Sequence, residues 1–277
     1  MKTIAHISDL HFGKEGPEVA DGLVEDLHRL KPGLVVNSGD FTQRARRRQY
    51  QKAAEFMKRL PQPQLSVPGN HDIPLYDMVR RFFKPLDRFS KHISSDIFPR
   101  YINNDLAVIG LNTARSLTWK SGRISIAQIQ AVERILTNLP SSCFKVLVTH
   151  HPFIPPPGQE KAGVDLVGRA ARALEVFERC GVDLLLAGHL HHGYTGDIRT
   201  FYPSTKRSII VAQAGTAISQ RMRNEPNGYN HIRLERERID VEVRRWNKEA
   251  FTEAGRITFL LKDGYWVPQG GEGQPRG

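Results

Sequence analysis

Cysteine is nearly missing from this chain: Cys143 and Cys180 are the only two, far apart and in no CxxC pair. That excludes thiolate zinc sites and thioredoxin chemistry, and leaves no disulfide framework to hold the fold. Both sit among apolar residues and read as inert core thiols, compatible with a reducing cytosol. Long apolar runs are missing as well, so any contact with a membrane would be peripheral rather than spanning. Negative charge is scarce. Against 40 Lys plus Arg stand only 29 Asp plus Glu, a net charge of +11. This balance favours acidic partners (a phosphorylated substrate, nucleic acid, an anionic membrane surface) or simply makes a basic, soluble exterior. In the opening stretch, Met1 to Asp9, a carboxylate comes too early for a signal-peptide apolar region, and a cytoplasmic location is expected.

What the chain does have is a repeated pattern of short apolar runs: Ile4 to Ser8, Leu34 to Ser38, Leu65 to Val67, Leu106 to Leu111, Val146 to Thr149 and Leu184 to Ala187. Several are apolar throughout, as expected of strands buried on both faces. Helical periodicity fills many gaps between them. Val19, Leu23, Leu27 and Leu30 share one face before Pro32-Gly33; Ala53, Phe56, Met57 and Leu60 share another before Pro61. Ile126 to Leu139 and Leu166 to Phe177 repeat the pattern. Strands alternating with helices imply an α/β architecture. Ile209 to Val211, Asn230 to Leu234 and Ile239 to Arg245 then follow as consecutive strands, the last two alternating polar and apolar, with one face expected to be wet. The reading is a mixed sheet or a two-sheet sandwich flanked by helices. It forms one domain over residues 1–265, with a flexible tail over 266–277 that is Gly-rich from Gly270.

Five strands end in polar clusters: Asp9-Leu10-His11, Gly39-Asp40, Gly69-Asn70-His71-Asp72, His150-His151 and Gly188-His189-Leu190-His191. Ligand sites in α/β sheets gather beyond the carboxyl ends of strands, so neighbouring strands would aim all five at one crevice. The donors are oxygen and nitrogen with no thiolate, a set that suits Mn, Fe, Zn, Co or Ni. Seven candidate ligands are too many for one ion and fit two ions sharing a carboxylate. The glycines before Asp40, Asn70 and His189 permit tight turns.

These clusters resemble the signature of calcineurin-like metallophosphoesterases, over residues 4 to about 192. In spacing they most resemble the bacterial class III cyclic nucleotide phosphodiesterases. The resemblance implies a four-layer α/β/β/α sandwich with a di-metal site at the carboxyl ends of the strands. It implies that Asp9, His11, Asp40 and His191 hold one divalent ion, that Asp40, Asn70, His150 and His189 hold the other, and that Asp40 bridges. His71 is then a catalytic residue that contacts phosphoryl oxygens or protonates the leaving group, and Asp72 either orients it or only caps the following turn. Two such ions acidify a shared water, and the resulting bridging hydroxide attacks a phosphodiester in line. Two ions bring four positive charges against three from Asp9, Asp40 and hydroxide, so the site keeps an excess that attracts an anionic substrate.

Other residues carry alternatives. His151 competes with His150 as ligand, and His192 reads as a rim residue. Arg44 is the nearest of four arginines to the site and is a candidate substrate contact with Asn70 and His71; Arg46, Arg47 and Arg48 read as a solvated helix start. The aromatic and basic stretch Pro74 to Tyr101 is either a cap that stacks bases or grips acyl chains, or ordinary helix packing. Gly215-Thr216 with Arg221 and Arg223 is a possible phosphate loop. The substrate expected first is a cyclic nucleotide or related phosphodiester. UDP-2,3-diacylglucosamine pyrophosphatases are a rival, but typically carry Arg at the position of His71. DNA-repair nucleases of the superfamily usually carry His where this chain has Gln43. A metal-free scaffold is the rival of another class, and the full ligand set speaks against it.

Overall fold

The computed structural model describes residues 2–159, 163–221 and 225–269. Two sheets face each other, with helices outside both. The first sheet contains β1 (Lys2–Ile7), β2 (Leu34–Asn37) and β3 (Gln64–Ser66), mutually parallel, with α1 (Pro17–Leu30) and α2 (Arg47–Arg59) as crossovers. The short α3 (Met78–Phe83) and α4 (Asp87–His92) lead to the second sheet. There β5 (Leu106–Gly110), β6 (Phe144–Val148), β7 (Leu184–Ala187) and β9 (Ile210–Gln213) run parallel between the antiparallel edges β4 (Arg100–Ile102) and β8 (Tyr194–Asp197). The crossovers α5 (Ile126–Thr137) and α6 (Ala170–Arg179) cover its outer face. The chain then returns to the first sheet as the antiparallel series β10 (Gly228–Glu235), β11 (Arg238–Trp246), β12 (Phe251–Lys262) and β13 (Tyr265–Pro268), in the order β13-β12-β11-β10-β1-β2-β3.

Pleating explains the layers. Side chains alternate between faces, so Ile4, Val36, Val108, Val146 and Leu186 point between the sheets. Their neighbours Ala5, Ile7 and Val35 meet Leu23, Leu27 and Phe56 of α1 and α2. Ile109, Leu147 and Leu185 meet Ile129, Val132, Leu174 and Phe177 of α5 and α6. Each Val, Leu, Ile or Phe so buried contributes roughly 1.5–3 kcal/mol. Local signals set the helix ends. Pro17 opens α1, and Lys31 closes it in a left-handed turn with its N–H on Leu27 O. Ser125 and Gln128 form a reciprocal capping box on α5. Arg169 is left-handed, so α6 starts at Ala170 rather than at the expected Leu166.

Two expectations change. The polar face of β10 and β11 is not wet: α1 lies over it, and Asp240, Glu242 and Arg244 are buried there. Residues 266–268, expected in the flexible tail, instead belong to β13, which pairs with β12, and Trp266 is buried against Phe144. Residues 270–277 lie outside the described residues.

Candidate metal centre

All five clusters meet at the carboxyl edge shared by the two sheets. Asp9 and His11 follow β1, Asp40 follows β2, and Asn70 and His71 follow β3; His150 follows β6, and His189 and His191 follow β7. Turning these side chains inward takes unusual backbone. Asp9 (φ 54°), His11 (46°), Asp40 (58°), His189 (81°) and His191 (60°) are all left-handed. Such residues cost of order 1–3 kcal/mol each and persist only where the surroundings over-determine them. Here they do. Asp9 N donates to Gly39 O (3.0 Å), His11 N to Asp40 O (2.9 Å) and Gly188 N to His150 O (3.0 Å). The carboxylates join in: His71 N donates to Asp40 Oδ1 (2.8 Å), and His189 N to Asp9 Oδ2 (3.0 Å). Close approach fixes two glycines. A β-carbon on Gly39 would lie 2.7 Å from His150 Nδ1, and one on Gly69 would fall on the Asp40 carboxylate.

On Asp9, Asp40, Asn70, His150 and His191 one polar atom is tied off, which aims the other at the centre; His11 Nδ1 is buried with no hydrogen-bond partner among the described residues. Ser38 O takes the Nδ1 proton of His150 (2.8 Å), and Thr216 Oγ1 holds His191 Nδ1 (2.6 Å). Asn70 Nδ2 donates to Trp119 O (3.2 Å), leaving Asn70 Oδ1 3.1 Å from both His150 Nε2 and His189 Nδ1. Asp9 Oδ2 accepts from Ser8 Oγ (2.7 Å), while Asp9 Oδ1 is buried with no hydrogen-bond partner. That oxygen faces His11 Nε2 at 3.4 Å and His191 Nε2 at 3.7 Å. Asp40 Oδ2 lies 3.6 Å from His11 Nε2 and 3.5 Å from His150 Nε2, between the two groups of donors. Asp9, His11 and His191 form one buried group with ligating atoms close together, and Asp9, Asp40 and His150 another.

Electrostatics point the same way. Burial opposes charge on Asp9 and Asp40, but neighbouring histidines, His191 first for Asp9 and His150 first for Asp40, hold both carboxyls below the usual range. Burial likewise opposes a cation at His150, yet Asp40 outweighs it and raises its pKa to about 9. Burial pushes His189 down to about 3 and His191 to about 4, leaving neutral imidazoles with free lone pairs at pH 7. An orphaned carboxylate oxygen, neutral nitrogen donors and a field that favours positive charge fit divalent cations, and the buried His/Asp clusters are consistent with a two-metal site.

His151, the alternative to His150, faces away: its Nδ1 is 2.7 Å from Thr113 Oγ1 and its Nε2 2.7 Å from Lys120 O. His192 pairs with Glu225 at 2.8 Å on the rim. His71 stands edge-on to His11, with Nδ1 on Gln43 O (2.9 Å) and Nε2 3.0 Å from Arg221 Nη1. The orienting role expected of Asp72 is corrected. Its carboxylate accepts from the N–H groups of Phe41, Thr42 and Gly69 and from Thr42 Oγ1, and does not touch the His71 ring. It locks the Asp40 loop to the Asn70 loop. Burial, then the Asp40 charge, raise its pKa to about 7 against the pull of those amides. Thr216, named with Arg221 and Arg223 as a possible phosphate loop, holds His191 Nδ1 through its hydroxyl. Arg223 lies outside the described residues. The sequence reading missed Ser8, Ser38, Thr113 and Trp119; the last two and Ser38 act partly or wholly through positions that no motif marks.

A cleft of ≈370 Å³ opens over the centre, lined by His71, Lys120, His189, His191 and Arg221 among others. A second hollow of ≈250 Å³ shares His71, Lys120 and Arg221 and adds Arg44, Asn70 and Trp119. A larger cavity of ≈850 Å³ beside Trp246 and Pro226 gathers no ligating cluster among the described residues.

The profile of the calcineurin-like phosphoesterases matches residues 2–193. A probable glycerophosphodiester phosphodiesterase of Arcobacter nitrofigilis is 30% identical over 216 residues, 68% of this chain and 71% of that protein. A dimetal phosphatase from Danio rerio shares the fold (TM-score 0.67, 15% identity, 94% of this chain and 99% of that one). So does a purple acid phosphatase from yellow lupin (TM-score 0.65, 11% identity, 94% of this chain), of whose length this chain spans 53%. With the matched segment carrying every donor described above, the chain belongs to the calcineurin-like phosphoesterase family and is a metal-dependent phosphoesterase.

Proposed function

We propose that the protein is a phosphodiesterase, with Asp9, His11, Asp40 and His191 holding one divalent ion and Asp40, Asn70, His150 and His189 the other. The observation that carries this reading is the position of Asp40 Oδ2, within 3.6 Å of a nitrogen from each donor group. The chemistry supplied by two bound divalent ions is Lewis acidity toward the phosphoryl oxygens and the attacking water. The chain's own residues do the rest. His71 and Arg221 form one wall of the cleft and are assigned to the phosphoryl oxygens, Arg221 as donor. His71 Nε2 is the atom assigned to the proton of the leaving group. Burial lowers the His71 pKa below its ordinary value, so at pH 7 the ring is neutral, with its Nδ1 proton on Gln43 O and Nε2 accepting from Arg221; Nε2 passes a proton to the alkoxide only after taking one up.

Two features favour a diester over a monoester. The curated relative is named for a glycerophosphodiester. The cleft also forks at His71, Lys120 and Arg221 into a polar hollow and one bordered by Arg44 and Trp119, room for two ester arms. The test is a substrate panel with the manganese-loaded enzyme: 3′,5′- and 2′,3′-cyclic nucleotides, glycerophosphodiesters, UDP-diacylglucosamine, phosphomonoesters and single-stranded DNA. The expected result is preference for a small diester, with cyclic nucleotides the first to examine. Faster turnover of monoesters than of every diester would overturn the reading. Absence of metal after supplementation would favour a scaffold instead.

A further inference from the structure

The helix α3 is amphipathic the wrong way round. Its buried residue is a charge, Arg81, at 2% exposure, while its apolar residues face water. Val79 is 73% and Phe83 82% exposed; next to them Tyr76 is 74%, Leu117 83% and Trp119 57% exposed. Arg81 explains how these residues are held together. Its guanidinium donates to Ser116 O (2.7 Å), Pro74 O (2.9 Å) and Thr118 O (2.5 Å) and lies 5.1 Å from the Trp119 ring. The arginine thus pins the 116–119 turn beside α3, and the exposed apolar side chains of both make up an apolar ridge on the surface. Exposed patches of this kind mark interaction sites rather than accidents of folding.

We propose that this ridge docks the protein on an anionic phospholipid membrane. Charge selects that occupant. Between Pro74 and Tyr101 the basic residues are Arg80, Arg81, Lys84, Arg88, Lys91 and Arg100, against Asp77, Asp87 and Asp96. Arg80 alone engages both Asp77 and Asp87. Lys84 and Lys91 remain exposed with no ion pair among the described residues. Arg46, Arg47 and Arg48 are exposed at the start of α2, which packs against α4. Arg88 Nη1 donates to Ala45 O (2.6 Å), and Tyr50 of α2 stacks on His92 of α4. A second copy of this chain fits poorly, because a two-fold contact sets a patch against itself and would bring these cations together. An anionic lipid surface meets them with opposite charge, and aromatic side chains settle at the headgroup boundary. Docking also has a consequence for the cleft. Trp119 O accepts from Asn70 Nδ2, and Lys120 O lies on His151 Nε2, so the ridge borders the metal centre directly.

Vesicle flotation of the full metal-loaded chain tests this, with vesicles of phosphatidylcholine alone and with about 30% phosphatidylglycerol. The expected result is binding to the anionic vesicles only, weakened by about 0.5 M salt, which screens exposed charge. The triple variant Val79→Ser, Phe83→Ser, Leu117→Ser changes only exposed side chains. It should bind at least about tenfold more weakly while hydrolysing a soluble chromogenic diester at the wild-type rate. Wild-type protein that stays with the unbound fraction would overturn the proposal. So would a triple variant that floats as well as wild type, or a dimer in light scattering that the triple substitution abolishes while vesicles bind neither form.

Discussion

Two clusters of buried charge sit in the first sheet's neighbourhood, and they are built on opposite plans. In one, Asp26 takes Arg244 at 2.6 and 2.9 Å together with Arg29 and Tyr229. Glu242 takes Arg244 at 2.7 Å, Arg233 at 2.8 Å and Arg256 at 3.0 Å. Each carboxylate has its arginine, and every residue lies in a helix or strand, Arg244 beside a bulge in the β11–β12 ladder. In the other, Asp9 and Asp40 are as deeply buried, yet among the described residues neither is paired with a lysine or arginine. Imidazoles surround them, neutral at His189 and His191 and cationic at His150, and five residues there hold left-handed backbone. Burying an uncompensated carboxylate is costly unless something positive arrives. The first cluster closes its own charge balance; the second is arranged to have it closed by cations.

Exchanging a charge in each cluster should therefore break different things. The largest effect is expected from Asp40→Asn. Metal content should fall, and activity should drop by more than the roughly 10–100-fold that loss of an outer partner costs. Manganese should raise the melting temperature of wild type and leave the variant's unchanged, since only a form that binds the ion is stabilised by it. Full metal occupancy in Asp40→Asn, measured by elemental analysis, would remove the basis for the two-ion assignment.

Arg244→Met should do the reverse. It leaves Asp26 and Glu242 buried without their shared partner, a loss of about 3–5 kcal/mol in urea unfolding. Metal content and kcat/KM of the folded protein should stay within about twofold, because the site shares no partner with this network. If activity fell before stability did, the two clusters would not be independent.

A smaller effect sharpens the contrast from inside the site. Thr216→Val keeps the shape of the side chain but removes the oxygen on His191 Nδ1. Metal affinity should fall about 10–100-fold. Unfolding of the metal-free protein should change far less than in Arg244→Met. Equal affinity by competition with a chelator would mean that His191 needs no orienting partner.

The contrast also accounts for what could be read from the chain beforehand. The metal donors sit in short motifs at the ends of apolar runs, so their order along the sequence already implies convergence. The arginine network has no such signature: Asp26 and Arg244 are 218 positions apart, and an alternating strand with polar partners looks identical to one with a wet face. The layers were legible from apolar periodicity, but β12 and β13, rich in polar residues at the sheet edge, and the short β8 were not. Asp72 was misassigned for a related reason. Proximity in sequence to His71 says nothing about direction, and the tight turn at Asn70–Asp72 sends its carboxylate back onto the amides of Phe41 and Thr42. Arg221, 150 positions from His71, entered the reading only as part of a possible phosphate loop, without its histidine partner.

The smallest expected difference is in acid. Burial alone would raise the Glu242 carboxyl, but His231, Arg244 and Arg233 outweigh it and hold the group well below its ordinary value. A carboxyl depressed in the folded state adds stability that is fully present above the unfolded pKa, about 4.3 for Glu. That stability is lost as pH falls toward the folded value. Wild-type stability should thus decline from about pH 5 downward, and Glu242→Gln should flatten that part of the slope while lowering the plateau at pH 7. Asp9 and Asp40 are also depressed, so some slope should persist in the variant. Urea titrations of both proteins, metal-free, from pH 7 to 3 measure it. An identical slope would mean that the arginines around Glu242 hold it no more tightly folded than unfolded, and its network would lose its claim to be internally balanced.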